Sequence, residues 1–293
     1  MTLVSRSLIL RSVLVAGALV LFGAPAAVAS SESTSTNWSG YVAHGMSFRR
    51  VAALWTQPTV TCTPGQQTYS AAWVGLGGYS LNSKALEQIG TEADCSASGK
   101  EVSTAWFELV PAPSRRVAMI VHPGDVMAGR VTVVGDEVTV VLQDRTRHRK
   151  FTRKVIVSPL DVTSADWIVE APSECDGDGY QCQPLTLADF GSETFARAQA
   201  ETATGKSGSI TSRLWRTAVI RLSPAGRRFA GNESSGEGQS APSSLSNAGT
   251  SFKLTYSPIT PVGTGPQPDY AARIASSAGA SAASAVQPGG ARR

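Results

Sequence analysis

Short segments of alternating apolar and polar residues follow one another along the central part of the chain, with turn-forming residues between them. Segments 126–134 and 137–143 are examples, and Gly135-Asp136 between them is typical of a tight hairpin turn. Segment 185–190 is interpreted as one more strand, and the Gly- and Ser-rich segment 228–249 as a long loop. Many closely spaced strands without intervening helices predict an all-β fold, an antiparallel sandwich or barrel.

The first 29 residues have the three parts of a secretory signal peptide. Arg6 and Arg11 precede a run of Leu, Val and Ala over 12–22, and Ala27-Val28-Ala29 is a small-residue cleavage signal. The apolar run is short for a membrane span, which makes an uncleaved N-terminal anchor the weaker alternative. We therefore predict a secreted, extracellular protein with no stable membrane association after signal cleavage.

The rest of the chain divides by composition. Residues 30–36 form a short N-terminal extension, and residues 37–257 carry the strand pattern of one large domain, which we expect to be monomeric. Residues 258–293 are rich in Ala, Ser, Gly and Pro and lack a periodic apolar pattern. We predict that this tail is disordered, with a small helix over 270–278 as the alternative.

The net charge of +4 does not indicate nucleic-acid binding. The excess of basic residues lies in the signal peptide and the tail, so residues 30–257 are formally neutral. One basic patch does occur on a predicted hairpin, and it consists of Arg145, Arg147, His148, Arg149, Lys150, Arg153 and Lys154. We favour a solvated hairpin here, and binding to an anionic surface is the alternative.

The chain has four cysteines, which in a secreted protein predict two disulfide bonds. Cys175 and Cys182 enclose a short polar loop and are predicted to pair with each other. Cys62 and Cys95 are then expected to form the second bond. A zinc site is the alternative, but the cysteine spacing does not fit one and the chain has only three histidines.

Two predicted strands carry a polar residue where the pattern favours an apolar one, namely Gln88 and Glu170. A polar group in a packed strand needs a partner or a function. Because side chains alternate between the faces of a strand, Gln88 and Glu170 would share one face with Trp73, Trp106 and Glu108 if their strands belong to one sheet. This pattern favours a single site with an amide and two carboxylates between tryptophans.

Familiar catalytic motifs of other hydrolases are absent from the sequence. It has no His-Glu-x-x-His of metallopeptidases, no Gly-x-Ser-x-Gly elbow, and no Asp-Thr-Gly or Asp-Ser-Gly of aspartic peptidases. His44, His122 and His148 lack the context of a catalytic triad and are expected at the surface. We therefore predict no metal and no cofactor.

The order and spacing of five short motifs resemble those of the glutamic peptidases, or eqolisins. The motifs are Asn37-Trp38-Ser39-Gly40, Ala72-Trp73-Val74-Gly75, Leu86-Glu87-Gln88-Ile89-Gly90, Ala105-Trp106-Phe107-Glu108 and Trp167-Ile168-Val169-Glu170. Each motif is short, but together they cover essentially the whole predicted domain.

The resemblance implies a lectin-like jelly roll, a sandwich of two large antiparallel sheets, whose concave sheet carries a Gln and Glu dyad. The dyad falls on Gln88 and Glu170. Trp73 and Glu108 would line the cleft, and the shared face adds Trp106 to these substrate-binding residues. The implied activity is that of a secreted, acid-acting endopeptidase on polypeptide substrates, which activates water directly and forms no covalent intermediate.

Peptide hydrolysis needs a base for water, a donor for the oxyanion and an acid for the leaving amine. A Glu170 carboxylate can activate water and return the proton to the amine, while the Gln88 amide holds the water and stabilises the oxyanion. Fungal members of the family carry an acidic residue just after the Trp-Val-Gly motif, where this chain has Gly77 and Gly78. They also carry an Asp at the position that Thr104 occupies here. Fewer acids around the cleft would move the pH optimum upward.

Other functions stay open from the sequence alone. A sugar-active or glycan-binding sandwich also places carboxylates and tryptophans on a concave sheet, although the Glu-x-Asp-x-x-Glu strand of lectin-like glucanases is absent. A non-catalytic secreted binding protein is a second alternative. Taken singly, Gln88 is equally compatible with a cross-strand polar pair on a solvated face, and Glu170 with a buried carboxylate capped by an Arg.

Overall fold

The structure is a computed structural model that describes residues 31–175, 182–224 and 238–259. The predicted signal peptide, nearly all of the predicted tail and the loop between Cys175 and Cys182 lie outside the described residues, as do the side chains of those two cysteines. Every regular element in the described ranges is a β-strand. Those ranges include no helix that is long and apolar enough to cross a membrane.

The strands are numbered in chain order. The first nine are β1 (Ser31–Ser35), β2 (Trp38–His44), β3 (Phe48–Thr56), β4 (Ala71–Gly77), β5 (Leu86–Cys95), β6 (Glu101–Val110), β7 (Arg115–Val117), β8 (Val126–Val134) and β9 (Glu137–Asp144). The others are β10 (Arg149–Ile156), β11 (Ser164–Glu170), β12 (Ser173–Cys175), β13 (Cys182–Pro184), β14 (Ser192–Thr202), β15 (Ser207–Gly208), β16 (Arg216–Leu222), β17 (Gln239–Pro242) and β18 (Phe252–Ser257).

Burial along the strands follows the sequence pattern. In β8, Met127, Val131 and Val133 are buried, while Arg130 and Val134 are exposed. This period of two places the apolar side chains on one face of the strand. In β2, β4 and β11 almost every residue is buried because apolar clusters cover both faces of these strands.

Most strands follow one continuous hydrogen-bonded path, in the order β10-β9-β8-β3-β14-β18-β17-β16-β2-β11-β4-β5-β6-β7. β1 and β15 pair beside this path with β16 and β14, and β12 and β13 form a separate hairpin. Every strand pairing is antiparallel except that of β1 with β16. The all-β class and the antiparallel pairing predicted from the sequence are therefore confirmed, with this one parallel exception.

The sheet curls so that one half of the path lies over the other. Across the interior, Trp55 Nε1 of β3 donates a hydrogen bond of 2.8 Å to Thr91 Oγ1 of β5. The larger hydrophobic core fills the space between the two halves. Near the ends of the path, Phe151 of β10 stacks on Phe107 of β6 with the ring centroids 5.8 Å apart, which makes the sheet nearly barrel-shaped.

A second apolar cluster covers the opposite face of β2, β11, β4, β5 and β6. Its buried members are Trp38, Val42, Ala71, Trp73, Leu86, Trp106, Ile168, Ala218 and Ile220. Since side chains alternate along each strand, Gln88 and Glu170 lie on this same face and not in the larger core. We call this surface the tryptophan face.

Two details of the predicted strands are wrong. Segment 185–190 forms isolated bridges at Leu187 and Asp189 and no strand, because its buried residues pack at the core edge beside irregular loops. Segment 228–249 contains β17, which pairs with β16 and β18. A short polar strand such as β17 has little intrinsic preference for the extended state, so its neighbours determine its structure.

Cys62 and Cys95 form a disulfide bond, as predicted, with their Cα atoms 5.3 Å apart. The bond joins the loop after β3 to the last residue of β5, across a sequence separation of 33. The backbones of Cys175 and Cys182 are paired between β12 and β13. A bond between their sulfur atoms stays a prediction.

Replacing both Cys62 and Cys95 with Ala should lower the free energy of unfolding by about 3–4 kcal/mol, because the crosslink restricts a long loop in the unfolded chain. Urea unfolding of the variant and the wild type measures this difference. Cys62→Ala alone breaks the same bond without a cavity at the buried Cys95, and should give a similar loss. An unfolding midpoint equal to that of the wild type would contradict the prediction.

Candidate active site

The four strands that carry the predicted site residues are neighbours in the order β11-β4-β5-β6. Trp73 of β4 lies opposite Ile168 and Gly90, and Gly75 lies opposite Gln88. Trp106 and Glu108 of β6 continue these two rows, opposite Gly90 and Gln88. The structure therefore brings the five predicted side chains to the tryptophan face, although Glu170 lies further along β11 than the row of Gln88.

Gln88 and Glu108 form a cross-strand pair. Gln88 Nε2 donates a hydrogen bond of 2.7 Å to Glu108 Oε2. Gln88 is only 3% exposed, and its Oε1 accepts no hydrogen bond from the described residues. The amide thus has one oriented donor and one buried acceptor that a ligand or water can use. The pair predicted as an alternative exists, but it is buried and does not lie on a solvated face.

Glu170 is surrounded by neutral donors. Asn37 Nδ2 donates to Oε1 at 3.1 Å and Trp73 Nε1 donates to Oε2 at 2.8 Å, and the Trp38 side chain also hydrogen-bonds the carboxyl group. Ser35 Oγ donates to Asn37 Oδ1 at 2.9 Å, which leaves the Asn37 amide nitrogen directed at Glu170. No ion pair to Glu170 occurs in the described part of the chain, so capping by an Arg is the wrong interpretation.

Burial raises the pKa of Glu170 to about 7, and the negative charge of Glu108 acts in the same direction. The hydrogen bonds from Trp73, Trp38 and Asn37 oppose this rise in pKa. The residue as a whole stays partly exposed, so a substrate can reach it. Below pH 7 the predominant form of Glu170 is therefore the neutral carboxylic acid, which has one O–H donor and further acceptor capacity.

Further acidic groups lie along the tryptophan face. Burial raises the pKa of Glu108, and the nearby Glu92 adds to the rise, while the bond from Gln88 lowers it. Glu92 is opposite Thr104, whose hydroxyl donates to Glu92 Oε2. Because the pKa values of Glu108 and Glu170 are both raised, these two groups keep their protons in less acid solution than isolated carboxyl groups do.

Trp73 positions Glu170 more than it lines an open cleft. Its side chain is fully buried and contacts Trp38 edge to face, with the ring centroids 5.0 Å apart. A Cβ atom at Gly75 or Gly90 would come within 2.9 Å and 2.6 Å of Trp73 atoms, so these glycines make room for the indole. Trp106 is 6% exposed, and its Nε1 has no partner among the described residues, which makes it the better candidate for substrate contact.

The loop before β11 packs against Gly77 and Gly78, the two glycines that follow the Trp-Val-Gly motif. Asp161 Oδ2 accepts a hydrogen bond of 3.2 Å from the Gly78 N–H, and a Cβ at Gly77 would lie 2.5 Å from the Asp161 carbonyl oxygen. Burial acts to raise the pKa of Asp161, but hydrogen bonds from Ser83, Thr163 and Gly78 hold it below its ordinary value. An ionised carboxylate is thus supplied from a different segment.

Two more carboxyl groups lie close to Asp161 and are held neutral. Burial raises the pKa of Glu87 to about 8, and it raises the pKa of Asp166 well above its ordinary value. The charge of Asp161 adds to both rises, although the hydrogen bond from the Asp161 backbone lowers the pKa of Glu87. A carboxyl group with a raised pKa contributes its full stability at acid pH and loses it as pH rises through the raised value. This part of the fold is therefore most stable in acid.

Comparison with known proteins shows to which family this chain belongs. The family model described as the peptidase A4 family matches residues 36–223. The chain belongs to the peptidase A4 family. The resemblance to glutamic peptidases that the motifs indicated is thereby confirmed.

Two curated relatives support the peptidase A4 assignment. The chain is 26% identical to scytalidopepsin B of Scytalidium lignicola over an alignment of 167 residues, with coverages of 55% of this chain and 62% of the relative. It is 26% identical to aspergillopepsin-2 of Aspergillus niger over 196 residues, with coverages of 58% and 66%. The chain thus spans less than two thirds of the length of each curated relative.

Solved structures share the fold of this peptidase A4 chain. Scytalido-glutamic peptidase with a transition state analog inhibitor superimposes with a TM-score of 0.62 at 22% identity, over 76% of this chain and 98% of that chain. SCP-B, described as a member of the eqolisin family in a complex with the tripeptide Ala-Ile-His, gives a TM-score of 0.58 at 20% identity, with the same coverages. At these identities the likeness extends to the fold alone.

The peptidase A4 match includes two residues that sequence reasoning did not assign to the site. Asn37 and Trp38 both hydrogen-bond Glu170 from β2 and the turn before it. The sequence feature that could have indicated these two residues is the Asn-Trp-Ser-Gly motif near the start of the domain, for which no other role is evident. His44 was expected at the surface, but it is partly buried against Tyr79.

Proposed function

We propose that the chain is an endopeptidase that hydrolyses peptide bonds at the tryptophan face, with Gln88 and Glu170 as its catalytic residues. The observation that carries the proposal is the pairing of two chemical features on one face. These are the buried, unbonded acceptor Oε1 of Gln88 and the Glu170 carboxyl group, whose pKa is raised in a residue that stays partly exposed. Membership of the peptidase A4 family supports the same reaction.

The raised pKa of Glu170 sets the protonation state in which the proposed reaction begins. As water attacks the scissile carbonyl carbon, the Glu170 acid gives its proton to the carbonyl oxygen and accepts a proton from the water at its other oxygen. The product is a neutral tetrahedral diol, and Glu170 is again protonated. When the C–N bond breaks, Glu170 protonates the leaving nitrogen and takes a proton from one diol hydroxyl.

The neighbours of the two residues have supporting roles in this proposal. Gln88 Oε1 accepts a hydrogen bond from the attacking water, and the second N–H of its amide donates to the diol oxygen. Glu108 fixes the orientation of that amide through the bond to Nε2. Asn37 and Trp73 fix the plane of the Glu170 carboxyl group. They thereby reduce the reorganisation needed during reaction.

The proposal also includes the sandwich architecture, the secretion, the monomeric state and the acid working range that were predicted from the sequence. The two halves of the curled sheet form the sheets of a jelly-roll sandwich, supported by the core between them. The chain is secreted, acts as a monomer and takes polypeptide substrates at acid pH. The raised pKa values of Glu87, Asp166 and Glu170 favour such a range because all three groups are then neutral.

Incubation of the purified protein with denatured casein between pH 2 and pH 8 tests the proposed activity. We expect cleavage in the acid range, with new chain termini identified by mass spectrometry of the products. Absence of cleavage at every pH, together with retention on immobilised glycans or release of soluble sugar from a glucan, would overturn the proposal in favour of a carbohydrate function.

The pH dependence gives a sharper expectation. Values of kcat/KM for an uncharged peptide should be nearly constant in the acid range and fall about tenfold per pH unit above pH 7, because the reactive form carries the Glu170 proton. Initial rates measured across pH 3 to pH 9 provide the profile.

Unfolding at high pH must be separated from this titration, since Glu87 loses its stabilising proton near pH 8. Samples held at each pH and assayed after return to pH 4 provide the control, and full recovery identifies a true titration. A profile that instead rises through pH 7 would show that the ionised form of Glu170 begins the reaction.

A further inference from the structure

A groove crosses the outer face of the other half of the sheet, formed by β14, β3, β8, β9 and β10. Two adjoining cavities of about 270 Å³ and 210 Å³ share Ala52 and Arg130 in their walls. The inward residues of β3, such as Trp55, belong to the larger core, so the outward Ala52 lies on the opposite side of the strand. The groove and the tryptophan face are therefore on opposite sides of the protein.

Four cations line this groove, and the three that form no ion pair lie on alternate strands, namely Arg197 of β14, Arg130 of β8 and Lys150 of β10. All three are exposed, and none forms an ion pair with another described residue. The fourth cation in the wall, Arg50 of β3, pairs with Glu201, and Lys154 on the same half of the sheet pairs with Glu137. Unpaired cations that converge in a recess attract anions.

A β-bulge directs one of these cations to the groove. Between Ala196 and Gln199, β14 has one more residue than the facing part of β3. Arg197 lies in this bulge with a φ of 53°, a conformation that is uncommon for a residue other than Gly. Bulges of this kind reorient side chains, and such backbone outliers cluster at binding sites.

We propose that this groove binds an extended acidic segment of a polypeptide, at a site separate from the tryptophan face. Its walls carry the amides of Gln143 and Gln199, which can donate to and accept from a peptide backbone. None of the residues that line the two cavities is aromatic, whereas single-stranded nucleic acid is bound by stacking of its bases on aromatic rings. Small residues such as Ala52 and Ala128 form a recessed floor that a thin chain can reach and a flat membrane cannot.

The spacing of the cations defines the ligand further. Neighbouring strands lie roughly 4.8 Å apart, so the Cα atoms of cations on alternate strands are at least about 10 Å apart. Arg130 and Lys150 are also offset by two residues along the strands, since Arg130 lies opposite Val141 and Lys150 opposite Gln143. A polyproline II peptide rises about 3.1 Å per residue and has three residues per turn, so every third side chain repeats at about 9.3 Å on one side. The groove therefore fits an extended segment with an acidic residue at every third position. The basic hairpin of the sequence supplies Lys150 to this site.

Fluorescence anisotropy with the labelled peptide (Glu-Pro-Pro)3 at pH 6 and low salt tests the proposal with the wild-type chain. We expect saturable binding that weakens at least about tenfold in Arg130→Ala/Arg197→Ala and is absent for (Gln-Pro-Pro)3. The matched control is Arg149→Ala/Arg153→Ala, which removes two charges from the other side of β10 and should change affinity less than about twofold. Binding should also disappear as the pH falls below about 4.3, where glutamates become protonated.

Several results would overturn this proposal. Equal weakening in the two double variants would show binding by overall positive charge and not by the groove, and equal binding of the Gln peptide would exclude recognition of acidic groups. Tighter binding of oligothymidylate, of an oligogalacturonate or of anionic vesicles than of the Glu peptide would reassign the groove to another ligand class. Because the groove lies away from Gln88 and Glu170, hydrolysis of a short neutral peptide should be unchanged in Arg130→Ala/Arg197→Ala, and failure of one proposal leaves the other testable.

Discussion

Replacing Glu170 with Gln is expected to lower kcat for peptide hydrolysis by about 10³-fold or more at pH 4. The amide keeps the size of the side chain but can neither give a proton to the carbonyl oxygen nor accept one from water. General acid and base catalysis contributes about 10²- to 10⁴-fold to enzymatic rates, and here one group supplies both functions in both steps. Steady-state kinetics with a quenched-fluorescence peptide measure the loss, and KM should change little because the same shape remains.

Glu92→Gln provides a matched control for this substitution. Glu92 is a carboxyl group on the same face and is paired with the Thr104 hydroxyl, outside the proposed proton transfers. Its replacement should change kcat less than about tenfold. Both variants should unfold within about 4 °C of the wild type, the shift that roughly 1 kcal/mol causes in a domain of this size. Wild-type activity in Glu170→Gln at equal stability would refute the assignment of Glu170.

The strand pattern was sufficient to predict the all-β class because burial in this fold follows the period of two closely. β8 is a clear example, with Met127, Val131 and Val133 buried and Arg130 between them exposed. The pattern failed where tertiary pairing determines the structure. β17 is short and polar, and it is a strand because β16 and β18 hold it on both sides.

Strand parity predicted which side chains share the tryptophan face, because alternation is a local property. Which strands are neighbours is not local, and the motifs of a known family supplied that information. The extent to which the site residues are buried could not be predicted from the sequence either. Trp73 was expected to line the cleft, yet its indole is fully buried and donates to Glu170. Gly75 on the same strand leaves space for the ring, and the register between β4 and β5 places Gly90 opposite Trp73.

The pKa values could not be predicted from sequence because they depend on burial and on groups from distant segments. The expected loss of acids near Gly77 and Gly78 illustrates this dependence. Asp161, more than eighty residues along the chain, places an ionised carboxylate against these glycines, and its charge adds to the rise that burial causes in the pKa of Asp166. A carboxylate thus lies beside the two glycines although no residue next to them in the sequence is acidic.

Replacing Gln88 with Ala is expected to lower kcat by about 10²- to 10³-fold, the loss typical of removing one group that stabilises an oxyanion. The substitution removes the buried acceptor Oε1 and both amide donors. It also leaves Glu108 without the hydrogen bond that lowers its pKa, so the Glu108 proton should be lost at higher pH in the variant. Steady-state kinetics at pH 4 and NMR titration of the Glu108 carboxyl carbon measure the two effects.

Glu108→Gln separates the role of Gln88 in the reaction from its role as a partner of Glu108. In this variant the Gln88 amide keeps only a neutral acceptor, so the bond that orients it is weaker and kcat should fall only about tenfold. Glu108→Gln combined with Gln88→Ala should be no slower than Gln88→Ala alone, because Glu108 acts through Gln88. Additive losses in the double variant would show that Glu108 takes part in the reaction independently. A Gln88→Ala enzyme with full activity would remove Gln88 from the mechanism.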